Sequence, residues 1–413
     1  MTPAPDKLQS LVATVRKSNP FYARRLGLGA IHSLEDFCRE VSFTFKREIV
    51  ADQAAHPPFG TNLTFPLERY TRFCQTSGTT GKPMRWLDTP ETWAWMMDCW
   101  RRVYESAEVT VADRIFFPFS FGPFLGFWVA FDAAVRTGSL AIPGGGMRST
   151  GRLQTILDNG VTVLCTTPTY AIRLAEVAAE EKIDLGASQV RRIIVAGEPG
   201  GSIPATRSLI ERLWPGARVV DHHGMTEIGP VSYECRARRG VLHVMEAAYF
   251  PEVIDPTTLA PVARGGTGEL VLTNLGRIGS PLLRYRTGDI VGTAAAAVCT
   301  CGSSELALEG GILGRADDMV VVRGVNLYPS AVENVVRSCG EIAEFRVETH
   351  VERALTEMSV QIEPAASCAD EAALSHKVSA ALQYAFGLRV AVSCVPAGTL
   401  PGFEAKARRW SQG

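Results

Sequence analysis

Residues 113–221 constrain the fold most, because short apolar runs alternate there with segments of helical periodicity. The apolar runs predict strands at 114–118, 139–143, 161–166, 191–196 and 218–221, and the segments between them predict helices at 126–137, 152–159, 171–181 and 203–213. Such alternation is typical of a parallel sheet covered by helices. We therefore predict an α/β fold.

The pattern changes near Gly314. Residues 315–413 predict a strand, a helix, two strands, a helix and a last strand, which is the order of a small α+β unit. A chain of 413 residues is also longer than the roughly 250–300 residues at which one core stops growing. We expect a large multi-layer N-terminal domain, residues 1–314, and a small C-terminal domain, residues 315–413.

Charge and composition exclude several classes of function. With 42 basic and 43 acidic residues and no basic tract, a nucleic acid is not expected as the partner. No apolar run is long enough for a membrane span, and no secretory signal is visible, so we expect a cytoplasmic protein. Ten scattered cysteines are then expected to be thiols or metal ligands.

Residues 75–83, with the sequence QTSGTTGKP, combine hydroxyl side chains, two glycines and a lysine between two predicted strands. Glycines allow backbone N–H groups to converge on an anion, and the lysine adds a mobile cation. The spacing does not match the Walker A pattern. We predict a flexible loop that binds nucleotide phosphates; the alternative is a surface turn.

A second polar cluster, residues 221–227, follows a predicted parallel strand, where α/β sheets bind ligands. Thr226 offers a hydroxyl to a phosphate, and Glu227 offers a carboxylate to Mg²⁺. Farther along the chain, Asp289 follows a turn at Gly288 and could accept both ribose hydroxyls. A solvated loop at 221–227 and a hairpin turn at 288–289 are the alternatives.

Two residues near the small domain are candidates for movement and catalysis. Asp317 lies where the two predicted domains meet and is a candidate hinge, although an ordinary linker has the same composition. Lys406 lies in a turn-rich tail where a lysine is normally solvated. Beside bound phosphates, it could neutralise charge on a transferred group.

A four-residue set could hold zinc. Two cysteines separated by one residue, with a cysteine and a histidine from another segment, match the four ligands of a tetrahedral Zn²⁺ site: Cys235, His243, Cys299 and Cys301. The single-residue spacer is tighter than a usual zinc knuckle. Isolated buried thiols are the alternative.

Five of these motifs, in this order, resemble the adenylate-forming superfamily of acyl-CoA synthetases and ligases, and within it the phenylacetate-CoA ligase group. They are residues 76–83, 224–227, 286–289, 314–319 and 323–329. The resemblance implies a large ATP-binding domain, a small mobile domain and two half-reactions. A carboxylate would attack ATP to give acyl-AMP and pyrophosphate, and a thiol would then take the acyl group. Some members of the group also carry a structural zinc.

The resemblance also implies residue roles. Lys406, Thr226 and Glu227 would be catalytic, with Glu227 also the Mg²⁺ ligand and Asp317 the hinge. The remaining nucleotide contacts implied are Ser77, Thr79, Thr80, Lys82, Gly197, Glu198, His223, Asp289 and Arg315. At His223 the family usually has tyrosine, so stacking on adenine is less secure there.

The acyl group is expected to bind along residues 116–128, which are rich in aromatic side chains, with glycines that leave room. The predicted pocket residues are Phe119, Phe121, Phe124, Gly126 and Gly224. Aromatic walls suit an aryl ring. We therefore predict a ligase for an aryl acid, either phenylacetate-like or a hydroxy- or aminobenzoate, although some of these aromatics could be core.

CoA is the expected acceptor, but an acyl carrier protein stays open because no basic cluster for CoA phosphates is visible. A homodimer also stays open. A non-catalytic nucleotide-binding protein of the same fold is the alternative of a different class. The joint presence of Lys82, Glu227 and Lys406 argues against it.

Overall fold

The computed structural model describes residues 5–27, 29, 31–76, 83–323, 325–352, 355–401, 403 and 409–412. The chain begins with four helices: α1 (Pro5–Ser18), α2 (Pro20–Ala23), α3 (Leu34–Glu40) and α4 (Lys46–Ala55). Asn19 separates the first two, because its side chain caps α2 and Pro20 cannot continue α1. No helix in these described ranges is long and apolar enough to cross a membrane.

A two-stranded hairpin follows, made of β1 (Arg72–Gln75) and β2 (Arg85–Asp88), and leads into helix α5 (Pro90–Ser106). Gln75 pairs with Arg85 at the end of the hairpin where the connecting loop begins and ends. The predicted phosphate loop therefore connects two paired strands, as expected. Its central residues, 77–82, lie outside the described residues.

The parallel sheet has five strands and carries the alternation predicted from sequence. Its elements are β3 (Arg114–Phe117), α6 (Trp128–Thr137), β4 (Leu140–Pro143), α7 (Ser149–Asp158), β5 (Val163–Thr166), α8 (Pro168–Glu180), β6 (Arg192–Val195), α9 (Pro204–Leu213) and β7 (Arg218–Asp221). The strand order is β4-β3-β5-β6-β7, with every pair parallel. The chain reverses its direction of winding between β3 and β5, a topology that suits ligand binding at the strand ends.

An antiparallel region follows. It comprises β8 (Gly224–Met225), β9 (Gly229–Pro230), β10 (Ser232–Glu234), β11 (Val241–Val244), β12 (Tyr249–Ile254), β13 (Thr267–Asn274), β14 (Tyr285–Thr293) and β15 (Ala307–Arg315). The first two strands pair with each other, and the other six form one sheet in the order β10-β11-β15-β14-β13-β12. Strand β10 lies beside the end of β7, where Glu234 Oε2 accepts a hydrogen bond from the N–H of Asp221 at 2.7 Å.

The last part of the chain has a hydrophobic core of its own, around Val332, Phe345 and Val360. Its elements are β16 (Val320–Val322), β17 (Val325–Leu327), α10 (Pro329–Ser338), β18 (Ile342–Glu352), β19 (Leu355–Pro364), α11 (Glu371–Phe386), β20 (Ala391–Cys394) and β21 (Trp410–Gln412). A four-stranded sheet, β20-β19-β18-β21, packs on the two helices. The predicted fold class, α/β with a smaller α+β C-terminal unit, is confirmed.

Candidate active site

The loop after β7 is held by backbone hydrogen bonds to both sheets. The His222 N–H donates to the carbonyl of Val195 at the end of β6, at 3.0 Å. The next N–H, that of His223, donates to Ser232 Oγ at 3.1 Å. The predicted cluster at 221–227 therefore lies at the carboxyl edge of the parallel sheet, beside the antiparallel one.

Asp289 joins two other predicted nucleotide residues. Its Oδ2 lies 2.9 Å from His223 Nε2, and its Oδ1 accepts from Arg315 Nη1 at 3.1 Å. The carboxylate is 4% exposed, so these contacts are its main compensation for lost water. Asp289 faces Arg315 because β14 and β15 pair these two residues directly. The structure thus brings together residues that are 66 and 26 positions apart in sequence.

Arg315 also contacts the predicted hinge. Its Nε donates to Asp317 Oδ1 at 2.9 Å, and the Asp317 side chain is 69% exposed. Burial opposes the charge on Arg315, but the carboxylates of Asp289 and Asp317 outweigh it and raise its pKa. Arg315 therefore connects the ribose candidate with the hinge candidate.

Glu227 is buried, and a cation lies beside it. Lys46 Nζ, at the start of α4, is 3.4 Å from Glu227 Oε1. The Glu227 carboxylate therefore already lies within ion-pair distance of one positive charge. Lys46 was missed at the sequence level, because a lysine at the start of a surface helix carries no recognisable signal.

A buried ion pair fixes the backbone at Thr226 and Glu227. Arg277 Nη1 donates to both carbonyl oxygens, at 2.7 and 3.0 Å. Its Nε and Nη2 donate to the two carboxylate oxygens of Asp88 at 2.8 and 2.6 Å, and neither side chain is exposed. Asp88 ends β2, so this pair ties the 221–227 loop to the hairpin that carries the phosphate loop. The sequence analysis did not identify either residue.

The structure describes the two ends of the predicted phosphate loop. The base of the 77–82 loop is closed by Thr76, whose N–H donates to Met84 O at 2.9 Å and whose hydroxyl accepts from Met84 N at 3.0 Å. The predicted ligands on the loop itself lie outside the described residues: Ser77, Thr79, Thr80 and Lys82. The same is true of Lys406.

The predicted adenine-side residues follow β6. Gly197 has a φ of 95°, which a residue with a side chain adopts only with strain. Glu198 Oε1 accepts from the backbone N–H of Thr169 at 2.8 Å, at the start of α8. A carboxylate is favoured at a helix N-terminus. The two residues therefore form an ordered turn at the same sheet edge as Asp289.

The aromatic segment divides into core and wall. Phe116, Phe117 and Phe127 are buried, as the core alternative predicted. Phe119 and Phe121 are half-buried and stack with ring centroids 4.3 Å apart. Phe124 is 46% exposed, and Gly126 is exposed with a φ of 30°.

The four zinc-ligand candidates converge. Their ligand atoms all lie within 4.8 Å of one another, with Cys235 Sγ 3.7 Å from Cys299 Sγ and Cys301 Sγ 3.4 Å from His243 Nε2. Burial opposes the Cys299 thiolate, but hydrogen bonds from Cys301 and its neighbours lower the pKa of Cys299 to about 6. The residues come from β11 and two loops, so the set could close a tetrahedral site.

The chain is similar to known enzymes over most of its length. Residues 68–276 match the family model of AMP-binding enzymes, and residues 324–412 match the C-terminal domain of the same enzymes. The chain is 32% identical over 366 residues to a phenylacetate-coenzyme A ligase of Thermus thermophilus. The aligned region covers 87% of this chain and 80% of that protein. It is 30% identical over 404 residues to the phenylacetate-coenzyme A ligase of Pseudomonas putida, covering 94% and 88%.

Among solved structures, 2-hydroxyisobutyryl-CoA ligase is similar over the whole chain. In its postadenylation state, with a bound acyl-AMP, it is 28% identical with a TM-score of 0.92, covering 100% of this chain and 90% of that one. In its thioesterification state, with CoA, the TM-score is 0.73, covering 98% and 88%. The sheet topology and the convergence at Asp289 are consistent with these matches. The chain belongs to the family of AMP-binding, adenylate-forming enzymes and resembles its phenylacetate-CoA ligases.

Proposed function

We propose that the protein is an AMP-forming acid–thiol ligase that activates an aryl carboxylic acid with ATP and transfers the acyl group to CoA. The observation that carries the proposal is the convergence of His223, Asp289 and Arg315 at the carboxyl edge of the parallel sheet. Asp289 holds a carboxylate among cationic and imidazole donors, where it can exchange a contact for the hydroxyls of a ribose.

Thr226 and Glu227 are proposed to act on the phosphates. Thr226 would contact the α-phosphate, and Glu227 would hold Mg²⁺, which prefers hard oxygen ligands. Lys46 Nζ now lies 3.4 Å from Glu227 Oε1, which supports a cation-binding role for this carboxylate. A bound Mg²⁺ would neutralise the phosphates during attack by the carboxylate. The 77–82 loop would orient the leaving pyrophosphate, with Ser77, Thr79, Thr80 and Lys82 as its ligands.

The C-terminal unit, residues 315–413, is proposed to rotate about Asp317 between two half-reactions. In the present conformation it packs on the N-terminal part, where Thr206 Oγ1 donates to Glu333 Oε1 at 3.2 Å and Ser330 hydrogen-bonds to Leu313 O. The similar ligase gives different TM-scores in its two states, 0.92 and 0.73, which supports such a movement. Lys406 would reach the α-phosphate in the adenylating state and leave it in the other.

An aryl acid is the proposed substrate because Phe119 and Phe121 form a stacked wall near the sheet edge. The phenylacetate-CoA ligases among the relatives support an aryl ring. The 2-hydroxyisobutyryl-CoA ligase is similar as well and acts on an aliphatic acid. An acid panel must therefore include both kinds of acid.

A structural zinc is proposed at Cys235, His243, Cys299 and Cys301. The atoms are close enough to share one ion, and three are buried. The set lies between β10, β11 and the loop before β15, and a metal there would fix that loop to the sheet. It would contribute to folding and not to the reaction.

The test is pyrophosphate release with a panel of aryl and aliphatic acids, with and without CoA. We expect activity with aryl acids and a thioester product with CoA. Replacing Lys406 with Ala should abolish acyl-AMP formation, and an unchanged rate would favour a non-catalytic nucleotide-binding protein. Activity confined to aliphatic acids would refute the aryl assignment, and transfer only to a carrier protein would refute CoA.

A further inference from the structure

His222 is a buried histidine whose protonation is fixed at one nitrogen. It is 4% exposed, and its Nδ1 lies 2.6 Å from the carbonyl oxygen of Ser232. A carbonyl oxygen can only accept, so Nδ1 carries the proton. Burial lowers the pKa of His222 to about 4, against the contact with Ser232, so the ring is neutral near pH 7. Nε2 therefore presents a lone pair and can only accept a hydrogen bond.

The second ring nitrogen of His222, Nε2, lies beside Gly224, where the backbone of Gly229 and Pro230 also comes close. Nε2 lies 3.3 Å from the position that a Cβ would take at Gly224, one of the predicted pocket residues. Within the described ranges Nε2 makes no hydrogen bond. Unlike Nδ1 of His223, it is not a fully buried polar atom without a partner. Nε2 is thus an acceptor that keeps some contact with solvent and has no protein donor among the described residues.

A continuous row of aromatic rings joins His222 to the predicted pocket wall. The ring of His222 lies 4.5 Å from that of Trp100, which neighbours Phe127 at 6.0 Å. Phe127 lies 5.4 Å from Phe119, which stacks on Phe121. Of the five rings in this row, only that of His222 offers a hydrogen-bond acceptor. Trp100 and Phe127 are buried, so the row fixes where His222 lies relative to the wall, and an aryl acid would have to reach Nε2 from the side of Gly224.

We propose that His222 is a specificity-determining residue that accepts a hydrogen bond from a hydroxyl or amino group of the acid. The enzyme would then prefer donor-bearing aryl acids, such as hydroxy- or amino-substituted ones, to their unsubstituted parents. This inference rests on the proposed function as an acid-activating ligase. Its physical basis is that an unsubstituted ring would remove water from Nε2 without replacing the lost hydrogen bond.

Matched pairs of acids test the proposal. Pyrophosphate release is measured for hydroxyphenylacetates against phenylacetate, for hydroxy- and aminobenzoates against benzoate, and for 2-hydroxyisobutyrate against isobutyrate. We expect at least one donor-bearing acid to be preferred by about 5-fold to 100-fold in kcat/KM. The corresponding methoxy acid has a similar shape but no donor, so it should lose this advantage in the unmodified protein.

Two variants separate the hydrogen bond from the packing. His222→Leu removes the acceptor, so the preference should fall to about 1, chiefly through a higher KM for the donor-bearing acid. His222→Gln can place an amide oxygen near the position of Nε2 and should keep part of the preference. An unchanged preference in His222→Leu would overturn the proposal.

The unmodified protein tests the role of His222 even if a variant fails to fold. Equal kcat/KM values within every pair, or equal values for hydroxy and methoxy acids, would also overturn that role. Activity with the aliphatic pair alone would contradict the aryl function instead. In that case the ratio of 2-hydroxyisobutyrate to isobutyrate still decides whether His222 recognises a donor.

Discussion

Replacing Arg277 with Met should lower both the stability of the protein and its activity, and a second change, at Asp88, should restore only the stability. The guanidinium and its partner Asp88 are both fully buried and are joined by two hydrogen bonds of 2.6 and 2.8 Å. Among the residues that the structure describes, the substitution would leave Asp88 with one side-chain donor, the hydroxyl of Thr92 at 3.0 Å. It would also remove the donor to the carbonyls of Thr226 and Glu227.

The expected cost follows from the burial of the pair. Removing one partner of a buried ion pair costs about 3–5 kcal/mol, because the other charge stays buried without compensation. A second change, Asp88→Leu, removes that charge, and replacement of a whole buried pair by apolar side chains is often close to neutral. The double variant should therefore recover at least about 2 kcal/mol of unfolding free energy.

Activity should not recover with stability. In both variants the carbonyls of Thr226 and Glu227 lack their donor, so the residues proposed to contact the phosphates are held less firmly. We expect kcat/KM for ATP to fall by about 10-fold or more in the single and the double variant, which corresponds to about 1.4 kcal/mol.

Urea unfolding and pyrophosphate release are the two assays. Arg69→Met is the matched control, because Arg69 also forms an ion pair, with Glu91 at the start of α5, but both side chains are exposed, at 54% and 66%. It should leave the urea midpoint and the activity unchanged. A loss below about 1 kcal/mol in Arg277→Met, or a double variant that regains activity together with stability, would refute the reasoning.

Three further predictions concern other parts of the molecule. Purified protein should contain about one zinc ion per chain, Cys299→Ser should lower the zinc content and the melting temperature, and Cys74→Ser, a buried thiol outside the cluster, should keep the zinc. Asp289→Asn should raise the KM for ATP by about 10-fold, because the ribose loses a charged acceptor; an unchanged KM would exclude ribose contact. Burial opposes ionisation of Glu344, but Arg409, at 2.6 Å, outweighs it and lowers the pKa of Glu344 below its ordinary value of 4.5. The ionised Glu344 therefore contributes to stability above pH 4.5, and this contribution is lost as the pH falls through the lower folded-state pKa. Glu344→Gln should be less stable than the parent at pH 7 and equally stable in acid. A stability difference that does not depend on pH would contradict this.

The parallel sheet could be predicted because its signal is local. Each strand from β3 to β7 is a short apolar run, and the intervening helices have their own periodicity. The antiparallel sheet has a weaker local signal. Strand β13 is buried along nearly its whole length, so it lacks the alternation of a half-exposed strand, and β11 pairs with β15 more than 60 positions away. Pairing over such distances has no local signature.

The site shows the same division. The convergence of the zinc-ligand candidates was predicted, because cysteine and histidine have few roles and their spacing restricts them. The buried pair of Arg277 and Asp88 was not, since these residues are 189 positions apart and each looks like a surface charge in sequence. His222 did carry a signal, as one of two adjacent histidines after a strand. Its fixed tautomer depends on Ser232 and needed the structure.

The most direct test of the central claim is to identify the products formed from ATP labelled in its α-phosphate. With an aryl acid and Mg²⁺ but no thiol, we predict a labelled acyl-AMP and one pyrophosphate for each adenylate formed. Adding CoA should convert the adenylate into labelled AMP and the acyl-CoA thioester. Formation of ADP and inorganic phosphate, or no acid-dependent product across the panel, would contradict the assignment of this protein as an adenylate-forming ligase.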